Sequence, residues 1–299
     1  MSDAPVLVTG ATGFIGGRLT RRLVDAGVPV RALARSASAP VAPGAELVVG
    51  ALPAHAALER ACDGVSAVIS CAAITGDKKA PPGGYDAVNA EGIGALAAAA
   101  TTAGAGRIIH FGGIDTAGGK PGPYLAGRRR GEELLKAAGV PWTILQPSVQ
   151  FGPGSPFISA MAGLVKGPVV PVAGNGRTKI QLIHVDDVCR AAHDCLAGDE
   201  RLGRYVELGG PVAVEYDDVL DVIGAAMGKA KVRKLHAPMG IVKVQAKLLQ
   251  VLPNPPVTPA AVELLERDNV AASLDVVERE FGFQPVGFAE HVASHGLEL

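Results

Sequence analysis

The chain has 299 residues, twice the ~150 of a common domain, with 48% hydrophobic and 19% charged side chains, which excludes disorder as a description of the whole. Its 28 basic and 29 acidic residues give a formal charge of −1, so the averaged surface offers no case for wrapping nucleic acid. Glycine and proline, 39 and 22 residues, are unusually abundant and indicate many tight turns and close backbone approaches.

Pro5-Val6-Leu7-Val8 is a short apolar run of the kind buried on both faces of a parallel sheet. From Phe14 to Ala26 the apolar positions Ile15, Leu19, Leu23 and Val24 recur at helical spacing, and Gly27 stops the helix. Val28 to Leu33 reads as the second strand. Further strands are expected at Glu46 to Val49, Ala67 to Ser70, Arg107 to Phe111 and Trp142 to Gln146, with helices at Ala54 to Cys62, Tyr85 to Gly104 and Pro123 to Gly139. After Pro147 the chain becomes turn-rich, then returns through Ile180 to Val185 and a helix that begins at Asp186-Asp187. The alternation predicts an α/β protein, a Rossmann-type doubly wound parallel sheet with a smaller, mostly helical C-terminal domain. Residues 1–150 and 179–204 would form the sheet domain, and 151–178 and 205–299 the substrate or partner domain.

Four cysteines, Cys62, Cys71, Cys189 and Cys195, make no Cys-x-x-Cys pair and no zinc spacing, so buried thiols in a reducing compartment are expected and no metal. No secretory leader pattern and no run of 18 apolar residues is present, which points to a cytoplasmic protein.

Gly10-Ala-Thr-Gly13-Phe-Ile-Gly16 lies between the first strand and the first helix. A helix N-terminus there offers unpaired N–H groups and a positive dipole end, and glycine lets the backbone touch a pyrophosphate, so a dinucleotide is the expected ligand. At the end of the second strand, Arg31-Ala-Leu-Ala-Arg35-Ser36 carries no acid to bind a ribose 2′-hydroxyl. Arg35 is placed to pair with a 2′-phosphate, so NADP(H) is the preferred cofactor, with NAD(H) the alternative should Arg35 be a solvated charge.

Val6-Leu-Val-Thr-Gly-Ala-Thr-Gly-Phe-Ile-Gly16 with Val30-Arg-Ala-Leu-Ala-Arg35 resembles the extended and atypical branch of the short-chain dehydrogenase/reductases, which includes epimerase/dehydratase-like proteins. Gly64 to Ile69, Val88-Asn89, Tyr124 with Gly131-Glu132, Gln146 to Gly152, His184 to Asp187 and Tyr205 to Gly210 follow in the matching order. Within that branch, Gly174 to Thr178, Pro253 to Pro259 and Val262 to Val270 look most like the nucleotide-binding accessory subunit of respiratory complex I and its bacterial relatives. The resemblance implies cofactor contacts from Gly10, Thr12, Gly13, Phe14, Ile15 and Gly16, and from Arg35 and Ser36 at the 2′-phosphate. It also implies Ala51 and Leu52 beside the adenine, Cys71, Ala72 and Ala73 beside the ribose, and Asn89, Gly112, Tyr124, Arg128, Pro147 and Val149 around the rest.

The family's catalytic set is a tyrosine, a lysine four residues later and a serine about a dozen residues before. Tyr124 is in register, but Arg128 stands at the lysine position and Phe111-Gly112-Gly113-Ile114 at the serine position. Arginine supplies a permanent cation but no proton relay, and loss of the serine donor costs roughly 10²–10³ in rate if nothing replaces it. Tyr124 and Arg128 are therefore the catalytic candidates of a reductase acting on an apolar or quinone-like substrate. The alternative is a cofactor-bound, non-catalytic accessory or assembly module for a respiratory or membrane-associated complex. Ser148 is a candidate spatial replacement for the serine. His184 reads as a packed strand histidine, and one of Asp186 and Asp187 as a helix cap.

The near-neutral charge conceals a basic segment. Lys229 to Leu252 carries six Lys or Arg and no acid. Wound as a helix, Gly240 to Leu252 aligns Ile241, Val244, Leu248 and Val251 in one stripe, with Lys243, Lys247 and Gln250 opposite. Either this stripe faces the core or it docks on a protein or on the inner face of a membrane.

Overall fold

A computed structural model of the chain describes residues 3–52, 54–75, 83–114, 121–249 and 258–299. Seven parallel strands form the central sheet: β1 (Val6–Thr9), β2 (Val30–Ala34), β3 (Glu46–Val49), β4 (Ala67–Ser70), β5 (Ile108–Phe111), β6 (Trp142–Pro147) and β7 (Arg204–Leu208). Their spatial order is β7-β6-β5-β4-β1-β2-β3, with the chain reversing direction of travel across the sheet between β3 and β4. In such sheets ligands bind beyond the carboxyl ends of the strands, at this reversal.

The residues of β1 explain why the sheet needs helices on both faces. Val6 and Val8 enter one buried cluster and Leu7 the other. The first cluster is closed by α1 (Phe14–Asp25), α6 (Val185–Asp194) and α10 (Val276–Phe281). The second is closed by α2 (His55–Cys62), α3 (Ile93–Thr102) and α4 (Pro123–Ala137). Fully burying one such aliphatic side chain contributes about 1.5–3 kcal/mol.

A third cluster lies outside the sheet and joins α5 (Pro156–Val165), α7 (Tyr216–Ala226) and α11 (Phe288–His295) around Phe151. Beside it, Val242 and Ala246 of α8 (Met239–Leu249) pack on Val262 of α9 (Pro259–Leu265).

Three expectations change. Arg204–Leu208, assigned above to the smaller domain from residue 205, is the edge strand of the central sheet, paired with β6. The expected return strand at Ile180 to Val185 splits into Lys179–Ile180, paired with Val214–Glu215, and Ile183–His184, paired with Gln150–Phe151, both outside the sheet, where β7 holds the place beside β6. The helix expected over Tyr85 to Gly104 begins as a wide π-turn at Ala87–Gly92. There α4 presses so close that a Cβ on Gly131 would stand 1.9 Å from the Asn89 carbonyl oxygen.

Candidate functional site

The phosphate turn is built by backbone contact. Gly10 has φ +63°, a conformation that favours glycine, and a Cβ there would lie 2.8 Å from the Ala72 nitrogen. A Cβ on Gly16 would lie 2.2 Å from the Gly10 carbonyl oxygen, so α1 can sit this close to β1 only with glycine there. The Gly13 N–H donates to Gly10 O at 2.8 Å, and Gly13 caps α1 with backbone alone. Thr12 and Gly13 are exposed while Phe14 and Ile15 pack half-buried on the first cluster. The first-turn N–H groups and the positive helix end thus face outward at the sheet's carboxyl edge, where an anion is stabilised. Beside them an open groove of about 640 Å³ runs past Phe14, Arg18, Arg21 and Arg22 to Asp186.

Arg35 and Ser36 follow β2 on the same edge, both exposed. Ser36 bonds Ser38 through its hydroxyl at 2.9 Å, while the Arg35 guanidinium stands at the surface. Arg31, the other basic residue of this strand, is committed to Glu46 and to the carbonyls of Ala61 and Asp63. Ala51 is half-buried, and Leu52 turns its side chain into the second cluster, against Gly92.

Cys71, Ala72 and Ala73 leave the end of β4 beside Gly10, with the Ala72 N–H donating to the Thr9 hydroxyl at 3.3 Å. Burial, with Cys189 nearby, pushes the Cys71 thiol well above its usual value, so it is an inert packing group. Asn89 is buried, and its amide clamps Ile74 from both sides, accepting from its N–H and donating to its carbonyl at 2.8 Å each. It fixes the loop after β4, and the π-turn is what aims its amide there.

Of the two catalytic candidates, Arg128 meets the chain just past the end of β5. Tyr124, half-buried in the first turn of α4, packs edge-to-face on Tyr85 with centroids 5.3 Å apart. One turn later Arg128 reaches back to the strand end, its Nη2 donating to Gly113 O at 2.8 Å and Nε lying 3.8 Å from Glu132 Oε1. This pair is 11% and 7% exposed. A Cβ on Gly113 would lie 2.8 Å from Arg128 Nη1, and one on Gly112 would lie 2.7 Å from Glu132 Oε1. The room for a serine side chain is therefore occupied by the Arg128–Glu132 pair, a relation the sequence could not reveal because it needs the helix-to-strand distance. Behind it His110 is buried against Ser70, 3.1 Å from its hydroxyl. Desolvation, helped by the Arg128 charge, lowers the His110 pKa from 6.5 to about 4, so the ring is neutral.

Ser148 does not replace the missing serine. It is 1% exposed, and its hydroxyl donates to Asn269 Oδ1 at 2.7 Å. Asn269, within the run Val262 to Val270, also accepts from the Val149 and Gln181 N–H groups and so stitches the segment after α9 to the end of β6. Pro147 closes β6 and Val149 packs on the third cluster. The α6 cap is His184 Nδ1, accepting the Asp186 N–H at 3.3 Å, in place of the expected carboxylate. Asp187 Oδ2 instead accepts the Val286 N–H at 2.8 Å, and burial raises its pKa.

Residues 10–151 match the family model described as NAD(P)H-binding. The chain is 30% identical over 275 residues, 91% of its length and 90% of the relative's, to the (4-alkanoyl-5-oxo-2,5-dihydrofuran-3-yl)methyl phosphate reductase of Streptomyces griseus. The chain belongs to the NAD(P)-binding Rossmann superfamily of atypical short-chain dehydrogenase/reductases. A second member, the NAD(P)H azoreductase of Xenophilus azovorans, is 28% identical over 304 residues, covering 97% of each chain. In fold, UDP-glucose 4-epimerase of Thermus thermophilus, solved with NAD, superposes with a TM-score of 0.73 at 23% identity, covering 99% of this chain and 97% of that one. What is shared is the fold, a Rossmann-like α/β architecture around a parallel sheet.

No described helix is long and apolar enough to cross a membrane. In α8 the stripe of Ile241, Val244 and Leu248 faces outward, 53%, 58% and 68% exposed, while Val242 and Ala246 make the buried side. Val251 and Gln250 lie outside the described residues, as does most of the Pro253 to Pro259 break. Lys243 pairs with Glu266, Lys234 with Asp221, and Lys229 donates to Gly167 O, so three of the six basic side chains are held by local partners.

Proposed function

We propose that this protein is a reductase that prefers NADPH to NADH and acts on the carbonyl of an apolar, quinone-like compound held between the sheet domain and the C-terminal helices. The observation that carries the reading is the placement of Tyr124. Arg128, bonded to Gly113 O, ties the first turns of α4 to the carboxyl end of β5, the same edge at which Gly10 to Gly16 offers its N–H groups. The residues fit a dinucleotide: glycine leaves space for the pyrophosphate, and Arg35 is the exposed cation for a 2′-phosphate.

The bound reduced nicotinamide would supply a hydride to the carbonyl carbon. Tyr124 would give its hydroxyl proton to the carbonyl oxygen, making the alcohol. Arg128, held in the serine's space, would place a fixed positive charge beside the oxygen as negative charge develops there. Its pairing with Glu132 reduces that field, which predicts slow turnover. The apolar substrate class is supported by relatives whose names carry alkanoyl and ceramide groups, the latter a ceramide reductase of Caulobacter vibrioides, 34% identical over 61% of this chain. Steady-state loss of NADPH absorbance across a panel of quinones, azo compounds and long-chain ketones tests it, with Tyr124→Phe as control.

A second reading is favoured by the outward stripe of α8. An NADP(H)-bound accessory module would use Ile241, Val244 and Leu248 to dock on a membrane-bound complex. The photosystem II assembly factor of Guillardia theta, 24% identical over 94% of this chain, is a relative named for assembly. Tight cofactor retention without turnover on any acceptor would select this reading.

A further inference from the structure

Three polar groups far apart in sequence converge beside the third cluster, next to Asp186, which lines the groove beside the nucleotide turn. His184 ends the short strand Ile183–His184, His291 lies in α11, and Glu298 is in the C-terminal tail. One ligand atom from each lies within 4.8 Å of the other two. His291 Nε2 is 2.7 Å from Glu298 Oε2. His184 is 6% exposed, and its Nε2 is buried with no hydrogen-bond partner among the described residues. A buried imidazole nitrogen without a partner is unfavourable unless something fills the place of the missing bond.

The surroundings suit a metal ion. Phe151 packs edge-on against both imidazoles, at 5.1 and 5.5 Å, and gives the cluster an apolar wall. A Cβ at position 152 would lie 2.9 Å from His184 Nε2, so Gly152 keeps side-chain bulk off that nitrogen. Glu298 is the one described non-glycine residue with a left-handed φ, +47°, and its carbonyl accepts the Gly154 N–H at 2.7 Å. The tail is thus folded back to hold the carboxylate against His291.

We propose that His184, His291 and Glu298 bind one divalent transition-metal ion of the zinc class, which staples α11 and the C-terminal tail to the start of α6. Two imidazoles and a carboxylate are a donor set suited to zinc-like ions. Ligand bonds of ~2.0–2.2 Å in tetrahedral geometry put donors roughly 3.3 Å apart, so the ion would replace the proton shared by His291 Nε2 and Glu298 and open that pair by about 0.6 Å, while His184 has to close a gap of about 1.5 Å at most. Asp186 is the orienting partner for His184. Its N–H lies 3.3 Å and its carboxylate 3.8 Å from Nδ1. With the ion on Nε2 the ring proton moves to Nδ1, which then ceases to accept the Asp186 N–H, and the carboxylate has to close from 3.8 Å to accept that proton, the arrangement that fixes a ligating histidine.

The test is a Zn²⁺ titration of the untagged full chain against a chromophoric chelator, with Co²⁺ absorption as a second readout. One Zn²⁺ per chain is expected, together with a rise in melting temperature on adding Zn²⁺. His291→Ala and Glu298→Gln, both near the surface, should each weaken binding by about 10²-fold or more and abolish the Zn²⁺-induced shift. Co²⁺ should give the visible bands of a four- or five-coordinate ion in the wild-type chain. Zn²⁺ affinity unchanged in the two variants, absence of stoichiometric binding, or a Co²⁺ spectrum no different from the free ion would each overturn the assignment.

Discussion

Arg128 Nη2 donates to the Gly113 carbonyl at 2.8 Å, and its Nη1 lies 2.8 Å from where a Cβ on Gly113 would be. Glycine at the strand end and arginine on the helix are one structural choice. The guanidinium fills the volume that the serine side chain takes in the family's usual set.

Restoring the serine alone should therefore fail. Gly113→Ser forces the guanidinium aside and is expected to destabilise the fold by about 1–3 kcal/mol, the usual cost of overpacking. Adding Arg128→Lys, which replaces the wide fork by a compact ammonium, should recover most of the loss. Thermal denaturation of the single and double variants checks both.

Arg35 is exposed at the end of β2, and the proposed preference for NADPH rests on it. Arg35→Ala should raise the NADPH dissociation constant about 10- to 100-fold while leaving NADH within about twofold, as expected for charge-assisted bonds to a phosphate. Calorimetric titration with each nucleotide reads the ratio. Equal weakening for both would remove Arg35 from the 2′-phosphate.

His110 sets an acid limit on stability. Its pKa falls from 6.5 to about 4 on folding. Below pH 6.5 the unfolded chain takes a proton that the buried ring refuses, so stability should fall as pH drops from 6.5 to 4 and level off below. The loss from this group amounts to at most about 3 kcal/mol. Urea unfolding at several pH values should show that slope in the wild-type chain and a reduced slope in His110→Gln.

The strands and the glycine turn were legible because both leave local signals, a short apolar run and a fixed glycine spacing. The order of late elements was less so. Arg204–Leu208 and Ile180–Val185 both mix apolar and polar residues over a strand's length, and only the pairing with β6 shows which one joins the sheet. Arg128 with Glu132 in the serine's place, and His184 with His291 and Glu298, depend on distances between elements that no spacing encodes. The apolar stripe of α8 was read correctly as a stripe, but its outward direction follows from Val242 and Ala246 packing on Val262.

That direction gives a prediction for the docking reading. Val244→Glu with Leu248→Glu alters two exposed positions, so folding stability should change by no more than about 0.5 kcal/mol per site and NADPH binding should stay intact. Flotation with vesicles of anionic lipid should show wild-type association that the double variant loses. Equal association of both proteins would remove α8 as a membrane contact.

The central claim is that Tyr124 protonates a carbonyl while the cofactor reduces it. Single-turnover oxidation of bound NADPH by the best quinone or ketone acceptor, followed by the loss of reduced-nicotinamide absorbance in the wild-type chain and in Tyr124→Phe, tests it most directly. The account predicts a rate lower by about 10²-fold or more in the variant with an unchanged NADPH dissociation constant. Equal rates in the two proteins would contradict it.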